Sequence, residues 1–317
     1  MLSTVPRRPA RTAGSADMLS SMSAAPSAAR GRGAASAPAS SANLGPGFDV
    51  VAIALALRCR VSVAPAGEWS LHSPGADQDS IALVRRAAEA AVPGSGPFSV
   101  TVKSRIPVAR GLGSSAALLV GLVAAVRAAT GLPENRDEVA RTGAGLEGHF
   151  DNVAAAVHGG AVAVSPSGCV HGLEVHPSLR ALVAVPRAAL LTSVARAVLA
   201  DPVDTATAAR TAARLAFLLE GLRRGDPALL AEAAGDELHE ARRAHLSPLT
   251  VALVRAAREA GAAHAAWSGA GPSAVALASG DAVEAVRAAW QKVLTGEGGT
   301  VLEPGLDRVG LRVGPAT

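Results

Sequence analysis

Three short stretches carry residue types that suit a phosphorylated or charged small ligand. The first, Ile106 to Ala117, reads Ile-Pro-Val-Ala-Arg-Gly-Leu-Gly-Ser-Ser-Ala-Ala. Gly111 and Gly113 let backbone approach a ligand with no Cβ in the way. Ser114 and Ser115 fall where the N-cap of the next apolar segment belongs. The first N–H groups of a helix lack intrahelical partners and its dipole favours an anion, so phosphate suits this pattern. A Walker A loop is excluded, because the Lys of G-x-x-x-x-G-K-S/T is absent. For the glycines taken alone, an ordinary tight turn is the alternative.

The second stretch, Glu147-Gly148-His149-Phe150-Asp151-Asn152, crowds two carboxylates, an imidazole and an amide ahead of an apolar run. Glu147 and Asp151 offer the hard oxygen ligands that Mg²⁺ takes, with a plain helix cap at Asp151 or Asn152 as the alternative. In the third, Ser36 to Asp49, a polar segment dense in turn formers reads as a loop holding Asn43 and Asp49 close together. Those two side chains can bind a small polar substrate.

The elements that must hold these residues follow from periodicity. Phe98–Val102 reads as a strand before the glycine turn, and Ala116–Val126, rich in Ala and Leu, as a helix buried on most sides. Val50–Leu57 and Cys59–Val63 read as strand. Ser80–Val92 reads as an amphipathic helix capped by Asp79 or Ser80, and Glu134–Ala144 as another. Strands at Ala161–Ser165 and Ala181–Val185 flank a Pro/Gly/His-containing connection, where we place a domain boundary. Beyond it lie helices over Ala206–Leu222, Pro227–Arg243, Val251–Ala260 and Ala282–Leu294. Ala265–Trp267 leads into Ser268-Gly269-Ala270-Gly271-Pro272-Ser273. Strands at Ala274–Ala278 and near Arg308–Val313 close this second half. Helices and strands alternating in this way imply the α+β class.

The length of 317 residues admits two ordinary domains. Residues 1–33 carry Arg7, Arg8, Arg11, Arg30 and Arg32 against Asp17, which accounts for the whole formal charge of +4. They read as a disordered extension; a transit peptide, or a start at Met18 or Met22, stays open. The near-neutral remainder argues against a nucleic-acid-binding surface. Cys59 and Cys169 are isolated, which suits a reducing, cytoplasmic setting and offers no zinc site. No apolar run is long enough to span a bilayer.

From Ala35 onward the chain resembles the GHMP kinases, on three motifs in order: Pro38 to Asp49, Pro107 to Ala117, and Ser268 to Ser273. Within that family it looks most like the homoserine kinases. Pro38-Ala39-Ser40-Ser41-Ala42-Asn43-Leu44-Gly45-Pro46-Gly47-Phe48-Asp49 matches their signature throughout, and Glu147 to Asn152 matches apart from Phe150, where proline is usual. Thr192-x-x-Ala195-Arg196 and the Asp236-x-Leu238-His239…Arg243 stretch are similar too.

The resemblance implies a two-domain fold. Residues 34–172 would form an ATP-binding domain like the second domain of ribosomal protein S5, and 173–317 a ferredoxin-like domain. It implies that Pro107, Val108, Ala109, Arg110, Gly111, Leu112, Gly113, Ser114, Ser115, Ala116 and Ala117 form the ATP site, with Ser115 and Glu147 reaching Mg²⁺. Asn43 and Asp49 would hold the amino and hydroxyl end of L-homoserine, helped by His149, Asp151 and Asn152. Arg196 and Arg243 would clamp its carboxylate, and Ser268, Gly269, Ala270 and Gly271 would brace the phosphate loop. Asp49, Asp151 and Asn152 are the residues nearest the chemistry, with no firm general base.

The implied reaction is transfer of the ATP γ-phosphoryl group to L-homoserine for threonine biosynthesis, by positioning and charge neutralisation. Another small-molecule kinase of the family, for an isoprenoid alcohol or a sugar, and a non-catalytic relative are the alternatives. Two departures bear on them: Arg141 stands where many relatives place a metal-binding Glu, and Ala208 stands near a usual Asn. The expected partners are ATP and the small acceptor, without nucleic acid or membrane, and a homodimer stays open.

Overall fold

Strand β1 (Gly33–Asn43) pairs antiparallel with the long β2 (Gly47–Pro65), and the two form the spine of the first sheet. The computed structural model describes residues 31–199 and 202–314. The expected disordered extension therefore lies outside the described residues except at its end, where Gly31 N–H donates to the Ala129 carbonyl and Gly33 already belongs to β1. The segment from Ser36 onward, expected as a polar loop, is instead buried strand as far as Asn43. The reason is size. Glycine, alanine and serine give β1 so little side chain that a helix lies directly on it, and a Cβ at Gly33 would meet the Ala125 carbonyl oxygen at 2.0 Å. Pro38 is tolerated because the register shifts between Pro38 and Ala39.

After β2 come β3 (Ser70–His72), α1 (Gln78–Ala91) and β4 (Phe98–Ser104). The cap of α1 is Asp77, whose carboxylate accepts the Ser80 N–H, rather than Asp79 or Ser80. Next come α2 (Ser114–Ala129), buried on nearly every side as its composition requires, then α3 (Arg136–Glu147) and α4 (Asp151–His158). Strands β5 (Ala161–Val164) and β6 (Val170–Leu173) extend the sheet from β2.

The second sheet begins at β7 (Arg180–Pro186), followed by α5 (Thr192–Ala197), α6 (Thr205–Arg224), α7 (Pro227–Glu232) and α8 (Glu240–Arg243). A single helix over Pro227–Arg243 is thus corrected to two. Gly235 takes a left-handed φ of 84°, and Asp236 Oδ2 accepts the N–H groups of His239 and Glu240, which starts a new turn. Then come α9 (Pro248–Glu259), β8 (His264–Trp267), β9 (Ala274–Ala278), α10 (Ala282–Leu294), β10 (Gly299–Leu302) and β11 (Arg312–Gly314).

The four-stranded antiparallel sheet runs β10-β7-β9-β8. The last strand does not close it. β11 returns to the first sheet and pairs with β1, giving the order β11-β1-β2-β4-β3. The return is anchored by Arg58, which pairs with Asp307 and donates to the Ser36 and Gly310 carbonyls at 2.7 Å. The class is α+β, as the alternation implied. Among the described residues, no helix is long and apolar enough to cross a membrane.

Candidate active site

One cavity of about 300 Å³ opens where the start of α2, the β1–β2 turn and the second half of the chain meet. It is lined by Asn43, Asp49, residues 107–115, Glu147, His149, Asp151, Asn152, Arg196, Arg243, Gly269 and Ala270. Four predicted residues stand behind it. Ala116 and Ala117 are fully buried on the core face of α2, while Ser268 and Gly271 support the wall without lining it. Arg141 is exposed and lines no part of the cavity.

The glycine turn comes close to the neighbouring backbone. The N-cap of α2 is Gly113 at a left-handed φ of 61°, with no side-chain cap bond, so Ser114 and Ser115 are the first helical residues and not the cap. A Cβ on Gly113 would lie 2.0 Å from Ser40 Oγ, and one on Gly111 would lie 2.1 Å from the Ser268 carbonyl oxygen. Ser268 Oγ donates to the Gly111 carbonyl at 2.7 Å, so the third glycine motif holds the first-turn backbone in place. The first turn of α2 lines the cavity at Ser114 and Ser115 with no side-chain cap, and the first N–H groups of a helix lack intrahelical partners.

Arg110 stitches the same turn to the second sheet. Its guanidinium donates to the carbonyls of Val108 at 2.9 Å and Pro186 at 3.0 Å. Ser115 Oγ donates to Glu147 Oε2 at 2.6 Å, joining the start of α2 to the end of α3. Burial raises the Glu147 carboxyl above its ordinary range, with the Ser115 bond working against that rise.

Asp151 and Asn152 open α4 and form the floor. Asn152 Oδ1 accepts from Ser40 Oγ at 2.8 Å, and its backbone N–H donates to Asp151 Oδ1 at 2.7 Å. Asp151 is only 1% exposed, and burial, reinforced by the negative charge of Asp49, pushes its carboxyl up to about 6. His149 Nδ1–H donates to the Glu147 carbonyl oxygen at 3.0 Å.

At the far end, Asp49 and Arg196 form a two-pronged ion pair, with oxygen–nitrogen distances of 2.6 and 3.1 Å. Asp49 holds a left-handed φ of 55°, and its N–H donates to Asn43 Oδ1 at 3.2 Å. Asn43 Nδ2 in turn donates to the Gly269 carbonyl at 3.0 Å. Its carboxamide therefore ties the first motif to the third, rather than standing free for a ligand.

Arg243 is 1% exposed, and among the described residues it makes no salt bridge. Its Nε donates to the Ala195 carbonyl at 2.9 Å, and burial, followed by the charge of Arg196, lowers its pKa to about 10. The carboxylates that act on it, Asp49, Asp236 and Glu240, do so without forming a salt bridge, so the guanidinium keeps capacity for an anion.

Two residues to which the sequence reading gave no role organise this end. The Phe48 ring carries Arg243 Cζ at 5.5 Å and Arg196 Cζ at 5.7 Å, and stacks on His239 with centroids 5.0 Å apart. His239 is fully buried, and burial lowers its pKa to about 4, so it is neutral. Its Nε2 faces the Gly45 carbonyl at 3.0 Å and must carry the proton, which leaves Nδ1 to accept from Arg243 Nη1 at 3.1 Å. The spacing of His239 and Arg243, four residues apart across α8, was the available signal.

The comparisons with known proteins agree in both halves. The model for the N-terminal domain of GHMP kinases matches residues 81–160, and that for their C-terminal region matches 218–296. A homoserine kinase of Gloeobacter violaceus is 41% identical over 217 residues, which cover 68% of this chain and 72% of that protein. One from Moorella thermoacetica is 40% identical over 187 residues; the match covers 58% of this chain and 63% of that protein, short of two thirds of its length. The crystal structure of homoserine kinase from Cytophaga hutchinsonii matches with a TM-score of 0.77 at 25% identity, over 89% of this chain and 97% of that one.

Proposed function

The chain belongs to the GHMP kinases, and we propose that it transfers the γ-phosphoryl group of ATP to the hydroxyl of L-homoserine, giving O-phospho-L-homoserine and ADP. The observation that carries the acceptor is the far end of the cavity. A buried guanidinium that makes no salt bridge among the described residues, Arg243, stands beside a second, Arg196, and a carboxylate, Asp49. That charge pattern matches an α-amino acid head group, whose hydroxyl arm then points back along the cavity to the phosphate turn.

In this reading the amides and dipole at the start of α2 neutralise the transferred phosphoryl group. Arg243 and Arg196 fix the acceptor carboxylate, while Asp49, held by Asn43, takes the ammonium and hydroxyl end. The acceptor oxygen forms the new bond to the γ-phosphorus as the bond to the bridging β–γ oxygen breaks, and ADP leaves. Asp151, on the cavity floor, polarises the hydroxyl and receives its proton.

The Ser115–Glu147 pair fits Mg²⁺. Among the described residues no cluster of three or more His, Cys, Asp or Glu side chains forms a metal cage. A nucleotide-bound Mg²⁺ needs only one or two protein oxygens beside phosphate and water, and a carboxylate 2.6 Å from a hydroxyl supplies them. When bound there, the ion supplies charge neutralisation for the phosphates. The cytoplasm is the compartment proposed, in keeping with two unpaired thiols, Cys59 and Cys169.

A coupled ADP-release assay with Mg·ATP tests this, comparing L-homoserine, mevalonate, galactose and no acceptor. Turnover with homoserine alone is expected. ADP release with a different acceptor would keep the kinase and sink the acceptor; no release from folded, ATP-binding protein would remove the catalytic reading.

A further inference from the structure

The ion pair between Asp49 and Arg196 joins two residues to which the proposed function gives opposite ends of the acceptor head group. Each is therefore satisfied by the other before any acceptor arrives. Both side chains remain more than a third exposed at the cavity, so the pair is accessible. Among the described residues, this is the only salt bridge that either Asp49 or Arg196 makes; Asp151 adds a weaker attraction to Arg196, and Arg243 one to Asp49. Asp49 is pinned through its backbone, with φ at 55° and its N–H on Asn43 Oδ1, so its carboxylate stays at the cavity when the pair opens. Arg196 keeps its place over the Phe48 ring. Arg243 is the contrast, since among the described residues it makes no salt bridge.

Resting on the acceptor reading above, we propose that the Asp49–Arg196 pair is a specificity filter that only a zwitterion opens. An amino acid head group brings both charges: its ammonium replaces Arg196 on Asp49, and its carboxylate replaces Asp49 on Arg196 while also meeting Arg243. Every charge is then paired. A ligand with a carboxylate alone can open the pair only by leaving Asp49 unpaired. One with an ammonium alone leaves Arg196 without its ion-pair partner, next to a second guanidinium, Arg243, on the same Phe48 ring. Orphaning one partner of a close charge pair is costly wherever water is partly excluded. The filter thus rejects hydroxy acids and amino alcohols that have the correct length and hydroxyl, although separate subsites would accept them weakly.

The test separates the filter from two independent subsites. The affinities of wild type, Asp49→Asn and Arg196→Gln for L-homoserine, 4-hydroxybutyrate and 3-amino-1-propanol are measured by calorimetry, with a non-hydrolysable ATP analogue bound. Binding of that analogue by each variant establishes that it is folded. Because binding is the readout, a part for Asp49 in the chemistry does not confuse the result.

Wild type is expected to bind homoserine only. Asp49→Asn is expected to bind homoserine at least about tenfold more weakly, yet 4-hydroxybutyrate about tenfold more tightly than wild type, because its Arg196 is free. Arg196→Gln is expected to tighten for 3-amino-1-propanol in the same way. Unchanged or weaker binding of both analogues by folded variants would overturn the filter while leaving homoserine as acceptor. Wild type that binds no homoserine at all would instead sink the acceptor reading, and the filter with it.

Discussion

The two ends of the cavity are built from different materials. The end proposed for the nucleotide is backbone: glycines at 111 and 113, an uncapped helix start, and carbonyls taken up by Arg110 and Ser268. The end proposed for the acceptor is side chain: Asp49, Arg196, Arg243, Phe48 and His239 come from three separated segments and are bonded or stacked on one another. A backbone site holds a ligand common to many proteins, and it fails when a backbone cannot keep its shape. A side-chain network sets which acceptor is taken, and it fails by degrees as each contact is removed.

The largest effect should therefore come from a single methyl group at the nucleotide end. Gly111→Ala puts a Cβ 2.1 Å from the Ser268 carbonyl oxygen on a residue with φ at 72°. Strain and clash together are expected to cost about 3 kcal/mol or more, which weakens binding of an ATP analogue at least about a hundredfold. Gly145→Ala is the control. Its Cβ would meet nothing within 4 Å, so in α3 it should stabilise by about 0.5–1 kcal/mol and leave ATP binding alone. Equal loss in both variants would show that the turn is not the nucleotide site.

Arg243→Gln tests the other end. Removing the buried guanidinium is expected to raise the KM for homoserine about a hundredfold while the KM for ATP stays put. A fall in ATP affinity of similar size would erase the distinction between the two ends. Phe48→Leu keeps bulk and removes the ring face under both guanidiniums. Two partly buried cation–π contacts are worth about 1 kcal/mol each, so a rise of roughly tenfold or more in homoserine KM is expected. No change would mean that the two arginines hold their places without the ring.

The same contrast explains what the sequence disclosed. The nucleotide end was legible because Gly-x-Gly-Ser-Ser before an apolar helix is a local pattern, and local backbone geometry is written in local sequence. Even there Gly113, not a serine, proved to be the cap. The acceptor end was legible only in its residue types. That Asn43 reaches Gly269, that His239 meets Gly45, and that Arg243 and Arg196 share Phe48 are contacts between residues up to 226 apart. Spacing along the chain does not encode such contacts.

The fold followed the same division. Long apolar helices such as α2 are readable from composition, whereas Ser36–Asn43 reads as a loop because serine and alanine signal one unless a helix presses on the strand. The return of β11 to the first sheet has no local signature at all.

The smallest stability effects concern charge and pH, and they separate a buried acid that works from one that only stands nearby. Burial raises Asp151 to about 6 and Glu240 to about 7. Asp151 borders the cavity, whereas Glu240 sits within α8 and accepts the Trp267 N–H at 2.7 Å. For each, the folded value lies above the unfolded one, so the folded state binds the proton more tightly. Stability from these groups is therefore greatest at low pH and is lost as pH rises from the unfolded value through the folded one: about 4 to 6 for Asp151, and about 4.5 to 7 for Glu240.

At pH 8 both acids are ionised against their surroundings, and the amide variants should be more stable by an amount on the order of 1–3 kcal/mol, read as a raised melting temperature. The two should part company in activity. Asp151→Asn is expected to lose most turnover and the rise of kcat/KM with pH through about 6, which ionisation of Asp151 otherwise produces. Glu240→Gln keeps an oxygen for the Trp267 N–H and is expected to change turnover little. If Glu240→Gln erased that rise and Asp151→Asn kept it, the proton-accepting group would lie behind α8 and not in the cavity floor.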